Sequence, residues 1–306
     1  MIFVTIIGLS LFEIVSSIDN AVINAEVLST MGAKARKWFL RWGILIAVFV
    51  VRGLLPWLIL WLSSPGLGPL EALTMSFSND PSVAEIVARS APLLLTGGGV
   101  FLVLLFLHWL FLEEKSYGLP GEKFFAKQGA WFYAFASIFL LLIVWVYIQK
   151  APMIAFAAMV GSTAFFITHG FKQNAEQQES RLKDSGLSDI SKLLYLEAID
   201  TTFSIDGVLG AFAFTFSVPL IILGNGIGAF IVRWITVSNV DRIRNYPFLK
   251  NGAMYSIAVL GSVMLIEGDG IHLPEWASPL ATVLIIGFFL LKSLPYARKQ
   301  KTLDGQ

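Results

Sequence analysis

Five acidic residues stand inside otherwise apolar runs of the chain: Glu13, Asp19, Glu197, Asp200 and Asp206. An Asp at the centre of a membrane helix costs roughly 2.5–3.5 kcal/mol on insertion scales, so such groups face a polar interior and mark an ion or proton path. Four of them follow one pattern. The first copy reads Glu13-Ile-Val-Ser-Ser-Ile-Asp19-Asn20 and the second Asp200-Thr-Thr-Phe-Ser-Ile-Asp206-Gly207, with the two acids of each copy six positions apart. Carboxylates, amide oxygens and hydroxyls are hard ligands that suit Mg²⁺, Ca²⁺ or Mn²⁺. The candidate metal set is therefore Glu13, Asp19, Asp200 and Asp206, completed by Ser17, Asn20 and Ser204. The same carboxylates could instead relay protons. The two readings combine, because protonation releases a bound cation. No cysteine is present, and His108, His169 and His272 fall near the ends of apolar runs or outside them. A soft-metal site is therefore not expected.

The other intramembrane charges are given supporting roles. Glu197 lies less than a turn before Asp200 and is read as a proton-exchange group. Arg52 and Arg233 are read as site-stabilising or gating residues. Arg233 is close enough to a span end to snorkel instead, while Arg52, nearer mid-span, is expected to pair with one of the acids. Asn225, in Gly224-Asn-Gly-Ile-Gly228, is read as a close-packing point rather than a helix break.

Positioning these groups constrains the helices. Residues six apart are about 9 Å apart in rise and about 120° apart around an ideal helix. Glu13 shares its face with Ser17, Asn20 and Asn24; Asp19 joins the same cavity only if the helix rotates, bends or unwinds near Ser16-Ser17. If the two copies run antiparallel, Glu13 comes level with Asp206, and Asp19 with Asp200.

The chain that carries them has 306 residues, 56% of them hydrophobic and 14% charged. A soluble domain carries roughly 25% charged residues, so lipid is the expected solvent. Membrane-crossing helices need roughly 20 mostly apolar residues. Candidates fall near 2–28, 39–63, 91–112, 130–149, 151–168, 193–216, 218–238, 252–268 and 277–295, about nine spans of an all-α polytopic bundle. One long helix over 130–168 would be about 58 Å, twice the hydrocarbon thickness, so two helices are expected there. Segment 64–90 reads as a loop with a short surface helix, and 170–192 as a solvated linker.

Lys and Arg cluster in alternate loops: Lys34 to Arg41, Lys115 to Lys127, Lys172 to Lys192, Arg242 to Lys250, and the tail. The positive-inside rule then puts the N-terminus outside and the C-terminus in the cytoplasm. Repeat one covers about 1–112, connecting spans and linker about 113–192, and repeat two about 193–295 of a single membrane domain. The matching Phe49-Val-Val-Arg52 and Phe230-Ile-Val-Arg233 extend the repeat. Starting five spans apart, the two units would be inverted, with the site at their interface, as in many transporters.

At these residues the sequence resembles the TerC family, integral membrane proteins associated with tellurite resistance within the LysE-type exporter group. The first signature of that family is intact as Glu13-Ile-Val-Ser-Ser17-Ile-Asp19-Asn20. The second reads Asp200-Thr-Thr-Phe203-Ser204-Ile-Asp206-Gly207, with Gly207 where a Ser is usual, so that hydroxyl is absent. The resemblance covers most of spans one to three and six to eight, and marks a divergent branch. It implies export of metal ions, Mn²⁺ above all, where residue chemistry alone stops at a hard divalent cation or a proton.

The expected function is thus a proton-coupled secondary exporter in a bacterial cytoplasmic membrane. Its partners are the lipid bilayer, the divalent cation and protons. The cation is cargo, and no cofactor, nucleic acid or enzymatic activity is expected. The sequence does not set an oligomeric state. The opposed readings are a non-transporting scaffold for metal loading or stress resistance, and an intramembrane aspartyl protease. The run Gly268-Asp269-Gly270 invites the protease idea, but it has no Tyr-Asp partner motif in an apolar run.

Overall fold

The computed structural model describes residues 2–17, 30–43, 68–76, 81–182, 188–238 and 246–303, with isolated positions between 24 and 61. Its regular elements are helices, with no strand among the described residues. Helix α1 spans Ile2–Ser16. Helix α2, Ala33–Trp38, runs into a π-helical turn at Phe39–Gly43. The short α3 (Pro69–Ser76) precedes the long α4 (Pro81–Leu112). Then come α5 (Glu122–Ala126), α6 (Trp131–Tyr147) and α7 (Pro152–Leu182). The chain closes with α8 (Asp189–Ala211), α9 (Val218–Ser238), α10 (Leu249–Gly268) and α11 (Ala277–Leu303).

Local chemistry sets several of these starts. Pro69, Pro81 and Pro152 each open a helix, where the missing N–H would have no partner anyway. Ser188 caps α8 by accepting from the Ser191 N–H at 3.3 Å, and Asp189 follows in the positive first turn.

Four helical stretches are long and apolar enough to cross a bilayer: Ser90–Leu112, Pro152–Phe171, Leu249–Gly268 and Ala277–Ala297. They coincide with the spans expected at 91–112, 151–168, 252–268 and 277–295. Ile2–Ser16, Trp131–Tyr147 and Val218–Trp234 are shorter apolar helices. Helix α6 leaves Trp131, Phe135, Ile138, Leu141, Leu142 and Trp145 exposed. A contiguous apolar face of that size belongs against hydrocarbon. The chain is an integral membrane protein.

Segment 130–168 is two helices, as expected, α6 and α7, packed on one another; other boundaries differ from the sequence reading. Pro152 cannot donate the next helical hydrogen bond and disfavours helix at Ala151. Helix α7 continues past its apolar stretch to Leu182, so much of the expected linker 170–192 is helical. Its Gln, Glu and Ala residues are good helix formers, which a hydropathy criterion does not register. For the same reason α4 begins at Pro81, well before the apolar run. The expected surface helix in 64–90 is α3. Most of the second expected span, 39–63, lies outside the described residues.

The core sits where α4 packs against α10 and α7, and α1 against α9 and α11. Phe12, Phe101, Trp109, Phe165 and Phe212 are essentially inaccessible within it. Lipid tails are as apolar as Leu, so close packing rather than water exclusion holds such helices together.

Candidate functional site

Helix α1 crosses two others at Glu13. Gly8 abuts Phe214, Phe12 abuts Gly210 and Glu13 abuts Gly207, so α1 and α8 run antiparallel. Leu9 abuts Gly224 and Glu13 abuts Gly228, so α1 and α9 run parallel. The two glycines beside Glu13 permit the approach. A Cβ at 228 would lie 2.6 Å from Glu13 Cβ, and one at 207 would lie 2.9 Å from Glu13 Oε2. Glu13 is 1% exposed. Ser17, one turn on, donates its hydroxyl to Glu13 Oε1 at 2.8 Å. Ser10, one turn back, donates to the Gly224 carbonyl at 2.9 Å and ties α1 to α9.

Asp206 precedes Gly207 in α8, so its Cα lies about 3.8 Å from that of the residue facing Glu13. It is half-buried. Asp200 and Ser204 fall on α8, with side chains outside the described part of the structure. Asp19, Asn20 and Arg52 lie outside the described residues. Among the described residues no three His, Asp or Glu side chains are grouped so as to hold a metal ion.

Glu197 and Arg233 pair. The Arg233 Nη1 group donates to Glu197 Oε1 at 2.8 Å and Nη2 donates to Oε2 at 3.2 Å. Nη1 also donates to the Phe39 carbonyl at 3.2 Å, and the guanidinium lies 4.1 Å from the Phe39 ring centre. Both side chains are buried. Snorkelling, the alternative weighed for Arg233, is therefore corrected: the side chain turns inward because a carboxylate and a carbonyl offer bidentate and single acceptors there. Asn225 lies in the unbroken helix α9. It is fully buried, and among the described residues neither its amide oxygen nor its nitrogen has a hydrogen-bond partner.

Sequence reasoning missed two polar clusters. In the first, buried Glu122 accepts from the Gly118 N–H at 2.7 Å and from Asn251 Nδ2 at 2.9 Å. Asn251 also donates to the Ser116 carbonyl, and Lys292 donates to the Gly118 carbonyl. The loop between α4 and α5 is thereby tied to α10 and α11. Lys115 in this loop donates to the carbonyls of Trp109 and Leu110 at the end of α4. Burial pushes its ammonium down to about 8, against the opposing pull of Glu122 and Glu113. In the second cluster, Lys250 pairs with Glu113 at 2.8 Å, and His108 Nδ1 lies 3.5 Å from the same carboxylate. The rings of His108 and His169 stand 3.7 Å apart, at a cavity of about 540 Å³. These partners lie on different helices, and no local motif announces them.

A helical bundle with apolar faces outward and a buried carboxylate at a three-helix crossing defines an integral membrane protein with a polar interior site. The sequence profile of the DUF475 family, described as proteins of unknown function, matches residues 18–300, and the chain belongs to that family. It is also similar to the uncharacterized membrane protein YceF of Bacillus subtilis (strain 168), with 26% identity over 114 residues, 37% of this chain and 44% of that protein. The match thus spans less than half the length of that relative. No solved structure matches.

Proposed function

We propose that the protein is a secondary transporter that exports a hard divalent cation, with Mn²⁺ the leading candidate, in exchange for protons. The observation that carries this is Glu13: a carboxylate buried in the membrane domain, at the crossing of α1, α8 and α9, beside Asp206-Gly207. Burying such a group is expensive, and packing alone gives no reason to keep it. The antiparallel crossing of α1 and α8 supports two inverted units related about this point. Asp19, Asn20, Asp200 and Ser204 would complete the oxygen shell with Ser17. Protonating the carboxylates would release the ion. The resemblance to the TerC exporters supports Mn²⁺, and the alternating basic loops support an external N-terminus in a bacterial cytoplasmic membrane. The bidentate partner of Glu197 favours a gating role for that residue over proton exchange.

The test is uptake of labelled Mn²⁺ by inside-out vesicles holding the purified protein under a proton gradient. Uptake is expected with the native chain and abolished in Glu13→Gln and Asp206→Asn. If the native protein moves no divalent cation, and both variants restore metal tolerance to a deletion strain, the exporter reading fails. The scaffold reading then takes its place.

A further inference from the structure

The Glu197–Arg233 pair does more than neutralise two charges. Glu197 belongs to α8 and Arg233 to α9, but the carbonyl to which Arg233 also donates, that of Phe39, belongs to the π-helical turn Phe39–Gly43 in the first half of the chain. Such turns inside helices often mark functional sites. The fit is tight. A Cβ at Gly43 would fall against both the Glu197 carboxylate and the Arg233 guanidinium, closer than a carbon can approach. The ion pair is therefore seated on this turn and cannot remain there if position 43 carries a side chain.

Around the pair, two further bonds hold α8 to the segment before the turn. Lys192 donates to Thr30 Oγ1 at 3.0 Å, and the Gly32 N–H donates to Asp189 Oδ2 at 3.1 Å. Between these tethers Leu28, Met31, Phe39, Leu193 and Leu196 form a closed apolar cluster. An apolar plug with a charged clasp is thus set between α8 and the segment that carries Leu28, Met31 and Phe39.

Its position relative to Glu13 gives it a purpose. Glu13 faces Gly207 of α8 and Gly228 of α9. From those glycines, Glu197 lies toward the start of α8 and Arg233 toward the end of α9, on the same side of the site. At 1.5 Å per residue the clasp on α8 is about 15 Å from the Glu13 level. It adjoins the basic segment Lys34 to Arg41, which the charge asymmetry assigns to the cytoplasm.

We propose that Arg233, Glu197 and the turn Phe39–Gly43 form the cytoplasmic gate of the path to Glu13, clasped shut in this structure by the ion pair. The proposal rests on the transport reading for the nature of the path, but the clasp itself can be tested without ion movement. Neutralising Glu197 leaves Arg233 without its bidentate partner and frees the turn; adding a methyl at 43 drives the pair apart with no change in charge.

The chain has no cysteine, so a single Ser17→Cys, one turn from Glu13 on the gate side, reports access. The reagent is a membrane-impermeant maleimide, applied to inside-out and right-side-out vesicles. In inside-out vesicles the parent labels slowly. E197Q and G43A label about tenfold faster or more, as expected when an open state of roughly 0.1–10% population becomes dominant. R233K, which keeps one charge-assisted bond, lies between. The charge-exchanged E197R/R233E returns to slow labelling. Right-side-out rates stay unchanged in every variant. Unchanged labelling in both E197Q and G43A overturns the gate. So does acceleration from both faces, which means loss of fold. Faster cytoplasmic labelling, while the protein that keeps Ser17 moves no Mn²⁺, keeps the gate and rejects the exporter; Mn²⁺ transport by the Ser17 protein with unchanged labelling of the reporter does the reverse.

Discussion

Glu13 on α1 and Gly207 on α8 meet so closely that a Cβ at 207 would stand 2.9 Å from Glu13 Oε2, so a side chain there requires the carboxylate to shift. The TerC-like signature has a Ser at this place. Here the space that its side chain would fill is taken by the carboxylate itself, itself held by Ser17. The glycine at 207 and the inward Glu13 are two sides of one arrangement.

Gly207→Ser should therefore displace the Glu13 carboxylate rather than supply an extra ligand. Overpacking of this kind costs about 1–3 kcal/mol. Thermal unfolding in detergent should show the loss, and Mn²⁺ uptake should fall with it. A variant as stable and active as the parent would mean that Glu13 can rotate away freely.

Glu197→Ala should be among the most destabilising single changes in the chain, because it takes the bidentate carboxylate away from a buried guanidinium. Breaking one partner of a buried pair costs about 3–5 kcal/mol, whereas apolar replacement of both is often neutral. Denaturation of Glu197→Ala, Arg233→Met and the double variant Glu197→Leu/Arg233→Met should show strong non-additivity, with the double variant the most stable of the three.

Asn251→Ala removes a side-chain donor to the buried Glu122 carboxylate. A hydrogen bond to a charged group contributes about 1.5–3 kcal/mol. The loop between α4 and α5 should loosen, read as faster proteolysis between Lys115 and Lys127 at unchanged helix content.

Lys115 should react with amine-directed reagents ahead of the other lysines, with half-modification near pH 8. The sign of its stability effect follows. Its folded pKa is lowered from 10.5 to about 8, so between those values the unfolded chain holds more protons. Stability from this group therefore rises with pH across that window and is lowest below it. Peptide mass spectrometry after brief acetylation at pH 7, 8 and 9 gives the reactivity profile.

Asn225→Leu should stabilise the protein. Both polar atoms of the fully buried amide lack partners among the described residues, and an unmet buried group costs about 1–3 kcal/mol. A higher unfolding temperature combined with lost Mn²⁺ uptake would place Asn225 on the ion path. Higher stability with normal uptake would make it a packing residue.

Much of the membrane architecture was legible because hydropathy depends on composition over about twenty residues, which needs no tertiary information. The stretches 91–112, 252–268 and 277–295 fell close to observed helices for that reason. The polar end of α7 did not, because helix can persist where hydropathy stops. The break before Pro152 was legible from one residue, since proline lacks the donor that a continuing helix requires.

The sequence by itself determined that this chain is an all-helical membrane protein with rare acids in its apolar runs. Hydrophobicity and charge are properties of residue types, so they can be counted along the chain. The tertiary structure decided which acids have company. It set Glu13 against Gly207 and Gly228, gave Glu197 to Arg233 across 36 positions, and joined Glu122 to Asn251 across 129. Partners that distant are chosen by how helices cross, and a crossing depends on small residues and shape on several helices at once. The opening pattern of carboxylates thus named the candidates, while the glycines beside Glu13 determined how closely the helices meet.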